Sequence, residues 1–320
     1  MRVLRGLFPS GEAPPSALTI GSFDGVHRGH QAMLALLINE ARHRALPSAV
    51  LTFEPHPRDF FHAHRGGPMP PRRIAPLRDK LAELARCGVE RVHVLRFDAS
   101  LAALSPEVFI ERVLRLGLGA RYVLVGDDFR FGARRAGDYA GLDAAGARHG
   151  FDVARMQSYQ VHGQRVSSSA VRAALEAGAM DQVADLLGRP YTISGRVQHG
   201  RKLGRELGFR TLNLRFPHPR PAAHGIFVAR VHGLVAGPPL PAVASLGTRP
   251  AVETGGAPRL ETHVLDWPAG LGIDAGYGRC IVVELPHRLH AERAYGSLDT
   301  LKDGIAQDVL DARAWLAARA

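Results

Sequence analysis

The feature that most constrains the fold is an alternation of short apolar runs with amphipathic helical patterns, which continues to about residue 186. The apolar runs of strand type lie at 18–20, 49–53, 89–97, 122–126 and 151–156. Helical patterns separate them; after the first run, one helix face holds Met33, Leu34, Leu37, Ile38 and Ala41. Strands that alternate with helices predict an α/β domain built on a doubly wound parallel sheet.

The pattern changes at Leu187, and from there short strands separated by glycine- and proline-containing turns predominate. The six strand patterns lie at 191–197, 211–214, 225–231, 242–246, 260–265 and 280–284. Such a series predicts a six-stranded antiparallel β-barrel. A helical pattern from Ser297 to about Ala318 closes the chain, with an apolar stripe of Leu301, Ile305, Val309 and Leu310.

The chain therefore divides into two predicted domains, residues 1–186 and residues 187–320, which agrees with a length of 320 residues. Its two cysteines, Cys87 and Cys280, are too few for a disulfide framework and fit a reducing cytoplasm. No Cys/His cluster has zinc spacing. We find no apolar window long enough for a membrane span and no export signal, so we expect a cytoplasmic protein.

A formal net charge of +11 favours a polyanionic partner, which could be a nucleic acid or a phosphorylated substrate. The arginines are scattered, and no ladder of stacking aromatic residues lies among them, as a single-strand binder would show. We therefore expect no nucleic-acid partner and an enzyme whose substrates carry phosphate.

Residues 18–30 predict a phosphate site. A strand ends in a glycine-containing turn from Gly21 to Gly25, a helix begins immediately afterwards, and His27 and His30 lie at its start. Unpaired backbone N–H groups and the positive end of the helix dipole suit a phosphate there. The stretch is neither a dinucleotide fingerprint nor a P-loop, because the required glycine and Gly-Lys spacings are missing.

Three further segments follow strands or open helices. His56 lies between two prolines after the second strand, Asp127 and Asp128 follow a later strand, and serines at 167–169 precede Arg172. Because ligands bind at the carboxyl ends of parallel strands, we expect all four segments at one edge of the sheet. Residues 62–75, rich in His, Gly, Pro and Arg, indicate a flexible loop that can act as a lid.

In the second half, residues 195–209 hold four glycines, four Lys or Arg residues and one histidine, a composition that favours phosphate. On composition alone, a solvated surface loop is the alternative.

The sequence Gly-Ser-Phe-Asp-Gly-Val-His-Arg-Gly-His at 21–30 contains the HxGH signature of the nucleotidyltransferases. It resembles the start of the bacterial bifunctional riboflavin kinase/FMN adenylyltransferase (FAD synthetase) family, as do residues 52–58, 125–132 and 166–172. The resemblance implies His27 and His30 as catalytic residues. The ATP-binding residues that it implies for adenylyl transfer are Gly21, Phe23, Asp24, His27, His30, His56, Asp128, Ser168, Ser169 and Arg172.

Arg210-Thr211-Leu212-Asn213 resembles the Pro-Thr-Ala-Asn motif of riboflavin kinases, which implies that Thr211 and Asn213 hold Mg²⁺ and ATP phosphates. Glu261 falls where that family has its catalytic base. The ATP-binding residues implied for the kinase are Gly195, Lys202, Gly204, Thr211 and Asn213. Arg210 replaces the proline of the motif, and His290 stands where the family commonly has an arginine.

The resemblance implies an enzyme that phosphorylates riboflavin to FMN and adenylylates FMN to FAD, with ATP as co-substrate, Mg²⁺ as cofactor and FMN and FAD as products. Three alternatives stay open: an adenylyltransferase whose kinase is weakened by Arg210, a nucleotidyltransferase with another acceptor, and a regulatory or RNA-binding protein on an enzyme scaffold. The sequence gives no oligomeric state; a monomer and a weak oligomer both fit.

Overall fold

The structure is a computed structural model, and it describes residues 1–9, 11–161, 163–200, 208–247, 258–272 and 274–319. The chain divides into two compact units. The first comprises Met1–Pro71 and Lys80–Val166, and the second comprises Arg72–Asp79 and Ser167–Ala320. The sequence-based boundary between residues 186 and 187 stays a prediction.

The first unit is built on a six-stranded sheet in which every neighbouring pair of strands is parallel. In spatial order the strands are β1 (Arg2–Arg5), β4 (Arg91–Arg96), β3 (Ser48–Glu54), β2 (Ser16–Ile20), β5 (Ala120–Gly126) and β6 (Asp152–Met156). The predicted parallel sheet is confirmed. Because the chain leaves β2 toward β3 on one side and reaches β5 on the other, β2 is the point at which the strand order reverses.

Helices connect these strands, and their ends follow local capping rules. The helices are α1 (Arg28–His43), α2 (Pro57–Arg65), α3 (Leu77–Arg86), α4 (Ala99–Ala102), α5 (Pro106–Val108), which continues as a π-helix (Phe109–Gly117), and α6 (Tyr139–His149). Ser105 illustrates the rule: its hydroxyl accepts from the Val108 N–H, and Pro106 occupies the first helical position. A two-stranded hairpin, β7 (Gln160–Val161) and β8 (Gln164–Arg165), ends the unit.

The prediction of a flexible loop over 62–75 is wrong at both ends. Residues 62–65 belong to α2, which starts because His56 caps it and which buries Phe60. Arg73 belongs to the second unit and pairs with the backbone of that unit. Its N–H donates to the Arg220 carbonyl, and its carbonyl accepts from the Ala222 N–H, both at 2.8 Å. Ile74 is 1% exposed, so its burial holds this segment in place.

The second unit contains a six-stranded sheet whose neighbouring strands are all antiparallel. Its strands are β9 (Thr192–Arg196), β10 (Thr211–Arg215), β11 (Gly225–His232), β12 (Leu240–Gly247), β13 (Arg259–Val264) and β14 (Cys280–His290). Their spatial order is β10-β13-β12-β11-β14-β9, and a bridge between Gln198 and Asn213 brings the two outer edges together. The predicted antiparallel barrel is confirmed, and it is nearly closed.

In the described part of the second unit, the barrel is accompanied by the helices α7 (Ser168–Ala177), α8 (Met180–Leu187) and α9 (Leu298–Ala317). Ser297 and Thr300 form a capping box at the start of α9, as the sequence predicts for a helix that begins there. Within the described ranges, no helix combines the length and the apolar character that a membrane crossing requires.

The predicted apolar stripe of α9 is wrong at Leu310, which is 59% exposed. Helix α9 instead buries Ala312 against Val228 and Val243, with Trp315 beside them. Positions 309, 312 and 316 recur at helical spacing on that face, whereas position 310 is turned by about 100° from its neighbour.

Because α9 buries Ala312 and exposes Leu310, we expect substitutions at these two positions to differ in their effect on stability. Leu310→Ala changes the free energy of unfolding by less than about 0.5 kcal/mol, because the side chain is exposed. Ala312→Leu lowers it by about 1–3 kcal/mol, because the added methylenes enter a filled core. Urea unfolding measured by tryptophan fluorescence tests this, since both tryptophans of the chain, Trp267 and Trp315, lie in the second unit. Equal effects at the two positions would mean that α9 presents a different face to the barrel.

Candidate active sites

Three of the predicted segments lie at one edge of the parallel sheet. The turn after β2, the segment after β3 and the segment after β5 begin at the carboxyl ends of three neighbouring strands. The Gly21 N–H donates to the Leu51 carbonyl of β3 at 3.0 Å, which fixes the start of the β2 turn. This edge at a strand-order reversal is where open α/β sheets bind ligands.

The turn after β2 has an unusual backbone. Phe23 has φ 48° and Val26 has φ 42°, so two residues with side chains adopt the left-handed region. Both are buried, at 1% and 0% exposure, and Asp24 between them is 1% exposed. Gln31 donates from Nε2 to the Val26 carbonyl at 2.9 Å. Such backbone strain persists only where surrounding packing enforces it, and it clusters at functional sites.

His27 and His30 are brought together by the start of α1. His27 is the N-cap, and its Nδ1 accepts from the His30 N–H at 3.3 Å. The two rings are stacked with centroids 3.6 Å apart. Because Nδ1 is an acceptor, the proton of neutral His27 lies on Nε2. Gly29 permits this arrangement, since a Cβ there would lie 3.2 Å from the His27 ring.

His56 has the same relation to α2. It is the N-cap, and its Nδ1 accepts from the Arg58 N–H at 3.1 Å, which again leaves the proton on Nε2. The Glu54–Pro55 peptide bond before it is cis. Two imidazoles of the predicted ATP site therefore cap helices, a role that sequence reasoning missed because serine, threonine, aspartate and asparagine dominate that position.

Asp128 follows β5, and its side chain is 81% exposed, within 3.4 Å of Arg165. The same guanidinium lies 3.3 Å from Asp127. A hydrogen bond from Ser158 lowers the pKa of the Asp127 carboxyl. Carboxylate oxygens accept hydrogen bonds, which suits hydroxyl groups of a ribose or an amino group of a base.

Ser168, Ser169 and Arg172 belong to the second unit, in the first turns of α7. The hydroxyl that caps this helix is that of Ser167, which accepts from the Ala170 N–H at 3.2 Å. Ser168 and Ser169 therefore do not serve as the N-cap of this helix, a role that is usual for serine. Arg172 donates from Nε to the Arg72 carbonyl at 2.7 Å. That these three residues share one site with His27 and His30 stays a prediction.

In the barrel, the strand register brings Thr211, Asn213 and Glu261 to one face. Asn213 of β10 lies directly opposite Glu261 of β13, and Thr211 precedes Asn213 by two residues. Asn213 donates from Nδ2 to Thr211 Oγ1 at 3.3 Å. The alternate residues, Leu212 and Thr262, are buried in the core at 2% and 0% exposure. A carboxylate therefore lies beside two polar side chains on one side of the sheet.

Gly200 reaches the same face from the loop after β9. A Cβ at Gly200 would lie 2.6 Å from Asn213 Nδ2, so the backbone approaches the amide too closely for any side chain. Gln198 N–H donates to the Asn213 carbonyl at 2.9 Å. Gly195 lies within β9. Lys202 and Gly204 lie outside the described residues.

Arg210 is held by the barrel, although it lacks the rigidity of a proline. Its guanidinium carbon lies 3.9 Å from the centroid of the Trp267 ring, a cation–π contact. His263 donates from Nδ1 to the Arg210 carbonyl at 2.7 Å. Burial lowers the pKa of His263, which keeps the imidazole neutral near neutral pH, and this hydrogen bond fixes its proton on Nδ1.

His290 lies at the end of β14 and contacts Asp308 of α9, with Nε2 2.7 Å from Oδ1. Burial raises the pKa of nearby Tyr295, and the charge of Asp308 adds to this effect. His290 thus ties α9 to the barrel.

No group of three or more His, Cys, Asp or Glu side chains in the described ranges could hold a metal ion. The oxygens of Thr211 and Asn213 are neutral donors. Such donors fit Mg²⁺ that arrives already bound to phosphate and keeps most of its water, rather than a dedicated protein cage.

Two family models match the chain. The model described as FAD synthetase matches residues 10–170, and the model described as riboflavin kinase matches residues 187–316. Three similar proteins are each named bifunctional riboflavin kinase/FMN adenylyltransferase. That of Escherichia coli K12 is 44% identical over 98% of this chain and 97% of its own length. That of Pseudomonas fluorescens is 42% identical over 98% and 97%, and that of Haemophilus influenzae is 39% identical over 98% and 99%.

A solved structure is also similar. The crystal structure of a protein described as a macrolide-efflux protein from Streptococcus pneumoniae superposes with a TM-score of 0.75 and 25% identity. The match covers 97% of this chain and 98% of that one.

The close approach of Gly200 to Asn213 predicts that Gly200→Ala displaces the Asn213 amide. We expect this variant to lose at least about tenfold of any phosphoryl-transfer activity of the barrel, because a misplaced binding group costs up to 10²-fold. The matched control is Gly272→Ala, whose Cβ would have no atom within 4 Å. Steady-state assays of both variants test this. Equal activities would show that Asn213 has no part in that chemistry.

The lowered pKa of His263 predicts a loss of stability in acid. The unfolded chain takes up the proton near the ordinary histidine pKa of about 6.5, and the folded chain takes it up only at lower pH. Stability present above that pH is therefore lost as the pH falls below it. His263→Gln should lose less stability than the wild type between pH 7.5 and 5.5, measured by urea unfolding with tryptophan fluorescence. An unchanged loss would contradict the role of His263; His224, whose pKa burial also lowers, accounts for a remaining loss.

Proposed function

Because this chain belongs to the family of bifunctional riboflavin kinase/FMN adenylyltransferases, we propose that it phosphorylates riboflavin to FMN and adenylylates FMN to FAD. ATP is the co-substrate of both steps. The observation that carries the proposal is that the two family models match separate parts of the chain, each of which contains its own set of candidate phosphate-binding residues. We assign residues 1–186 to adenylyl transfer and residues 187–320 to the kinase.

In adenylyl transfer, a phosphate oxygen of FMN attacks the α-phosphorus of ATP, the bond to the bridging oxygen breaks, and pyrophosphate leaves. Negative charge grows on the oxygens around the α-phosphorus. His27 and His30 donate hydrogen bonds to these oxygens, and the start of α1 adds its dipole. Its first turn carries no acidic residue that would oppose an anion.

The remaining residues of this site bind and orient the nucleotide. His56, Ser168, Ser169 and Arg172 hold the triphosphate, and Arg172 exchanges its present carbonyl partner for a phosphate oxygen. Gly21, Phe23 and Asp24 shape the turn against which the nucleotide lies, and Asp128 accepts from its ribose or base.

In the kinase step, Glu261 accepts the proton of the terminal ribityl hydroxyl of riboflavin, whose oxygen attacks the γ-phosphorus of ATP and releases ADP. Thr211 and Asn213 orient the triphosphate on the same face, together with Gly195, Lys202 and Gly204. Mg²⁺, when bound with ATP, neutralises phosphate charge, and the oxygens of Thr211 and Asn213 would hold it there.

We propose that the kinase is active despite Arg210. The stacking of Arg210 on Trp267 and the hydrogen bond from His263 restrain the turn in place of the proline. We also propose that the enzyme works in the cytoplasm, where ATP and riboflavin are available and where Cys87 and Cys280 stay in the thiol form.

Two substitutions separate the activities within one chain. Glu261→Gln removes the base and should lower FMN formation from riboflavin by about 10²–10⁴-fold, while FAD formation from FMN stays within twofold. His30→Ala should lower FAD formation from FMN by at least about 10²-fold and leave the kinase unchanged, because a lost charge-stabilising donor is worth that much.

Chromatographic separation of riboflavin, FMN and FAD after incubation with Mg-ATP measures both rates for each variant. Wild-type protein that converts neither flavin would refute the proposal. Wild-type protein that makes FAD from FMN and nothing from riboflavin would leave only the adenylyltransferase.

A further inference from the structure

Lys80 is a buried cation that the roles above do not use. It lies on α3 in the first unit and is 1% exposed, which places it among the largest fully buried side chains. Burying an ammonium group is costly unless its hydrogen bonds are replaced by protein groups. Its surroundings therefore show where the fold requires a positive charge.

The ammonium group starts a directional chain of hydrogen bonds. Lys80 Nζ lies 3.4 Å from Thr52 Oγ1, and Thr52 Oγ1 donates to the Ser22 carbonyl at 3.3 Å. An ammonium group can only donate, so the Thr52 hydroxyl accepts from Lys80 and its own proton is directed to Ser22. Thr52 is 0% exposed, which strengthens both interactions.

Lys80 also approaches the next strand end, with Nζ 4.0 Å from Glu54 Oε2. Ser22 begins the strained turn that leads to His27, and Glu54 precedes the cis peptide bond that leads to His56. One buried cation thus contacts, directly or through Thr52, both strand ends from which the histidines of the adenylyl-transfer site project.

We propose that Lys80 is a positioning residue for adenylyl transfer: it fixes the Ser22 carbonyl and Glu54 so that His27 and His56 face the triphosphate, and it adds positive charge beneath that edge of the sheet. This inference rests on the proposed adenylyltransferase function. It assigns Lys80 no contact with the nucleotide.

If Lys80 only stabilised the fold, its replacement would lower the melting temperature and both activities together. Replacing a buried charge by an apolar side chain removes the cost of burying that charge, and it is strongly destabilising only where it leaves a buried partner charge without water. Glu54 is 35% exposed at its side chain, so water can solvate it once Lys80 is gone. Lys80→Met should therefore keep or raise the melting temperature and still impair adenylyl transfer.

The experiment uses the full chain and compares Lys80→Met, Thr52→Val and Thr52→Ser with the wild type. We expect Lys80→Met to lower kcat for FAD formation from FMN by about 10–100-fold, as lost outer-shell partners do. The KM for ATP should change by less than threefold, because His27 acts mainly as charge develops, while the serines of α7 and Arg172 still bind the triphosphate. Riboflavin phosphorylation by the same preparation, measured as total FMN plus FAD, should stay within twofold and reports correct folding.

Thr52→Val breaks the chain while keeping Lys80, so it should show a smaller loss of the same kind, and Thr52→Ser should restore near wild-type rates. Adenylyl transfer by Lys80→Met within twofold of wild type would overturn the inference. So would a parallel loss of both activities and of melting temperature in Lys80→Met and Thr52→Val, which would mark a structural role. Wild-type protein that makes no FAD from FMN would instead refute the adenylyltransferase function and the inference with it.

Discussion

The position of the candidate site in the first unit depends on the reversal of strand order at β2. Because β3 and β5 flank β2 and all three run parallel, their carboxyl ends open at one edge, and the segments that follow them diverge there. The turn after β2 is then forced into left-handed backbone at Phe23 and Val26, and this strain is maintained by buried side chains and by the bonds of Ser22 and Val26. The start of α1 and the stacked histidines follow from that turn.

The two units bring polar groups together by different means. In the first unit, helix starts supply N–H groups and dipoles, and the imidazoles of His27 and His56 are oriented because each caps a helix through Nδ1. In the barrel, strand register brings the polar side chains together. Asn213 faces Glu261 because β10 and β13 pair antiparallel, and Gly200 leaves room for the amide. A strained turn and a regular sheet are therefore two ways of placing polar side chains side by side.

Much of this fold could be predicted from sequence, because apolar periodicity reports which faces are buried. The parallel sheet, the barrel and the existence of α9 all follow from such patterns. Leu310 shows the limit: an apolar residue adjacent to the stripe reads as part of it, and only tertiary packing shows that Ala312 is the buried one. Helix α2 was not predicted, because it buries a single residue, Phe60, among polar residues and so shows no apolar periodicity.

Site residues were harder to predict than elements, since their partners are distant in sequence. Ser167, rather than Ser168 or Ser169, caps α7, which only hydrogen-bond geometry distinguishes. From the sequence, Arg210 is expected to loosen the turn, because the Trp267 ring that contacts its guanidinium lies far along the chain. Lys80 could have been singled out from the sequence, because it lies four residues before the buried Leu84 on the same face of α3, where a charged residue needs an explanation.

The central claim is that one chain transfers two different phosphorus atoms of ATP onto one flavin. The most direct test is to incubate the wild-type protein with riboflavin and Mg-ATP labelled with ³²P at either the γ- or the α-position, and to locate the label after cleaving the FAD into FMN and AMP. We expect γ-label in the FMN half and α-label in the AMP half. FAD without γ-label in its FMN half, or no FAD at all, would contradict the account.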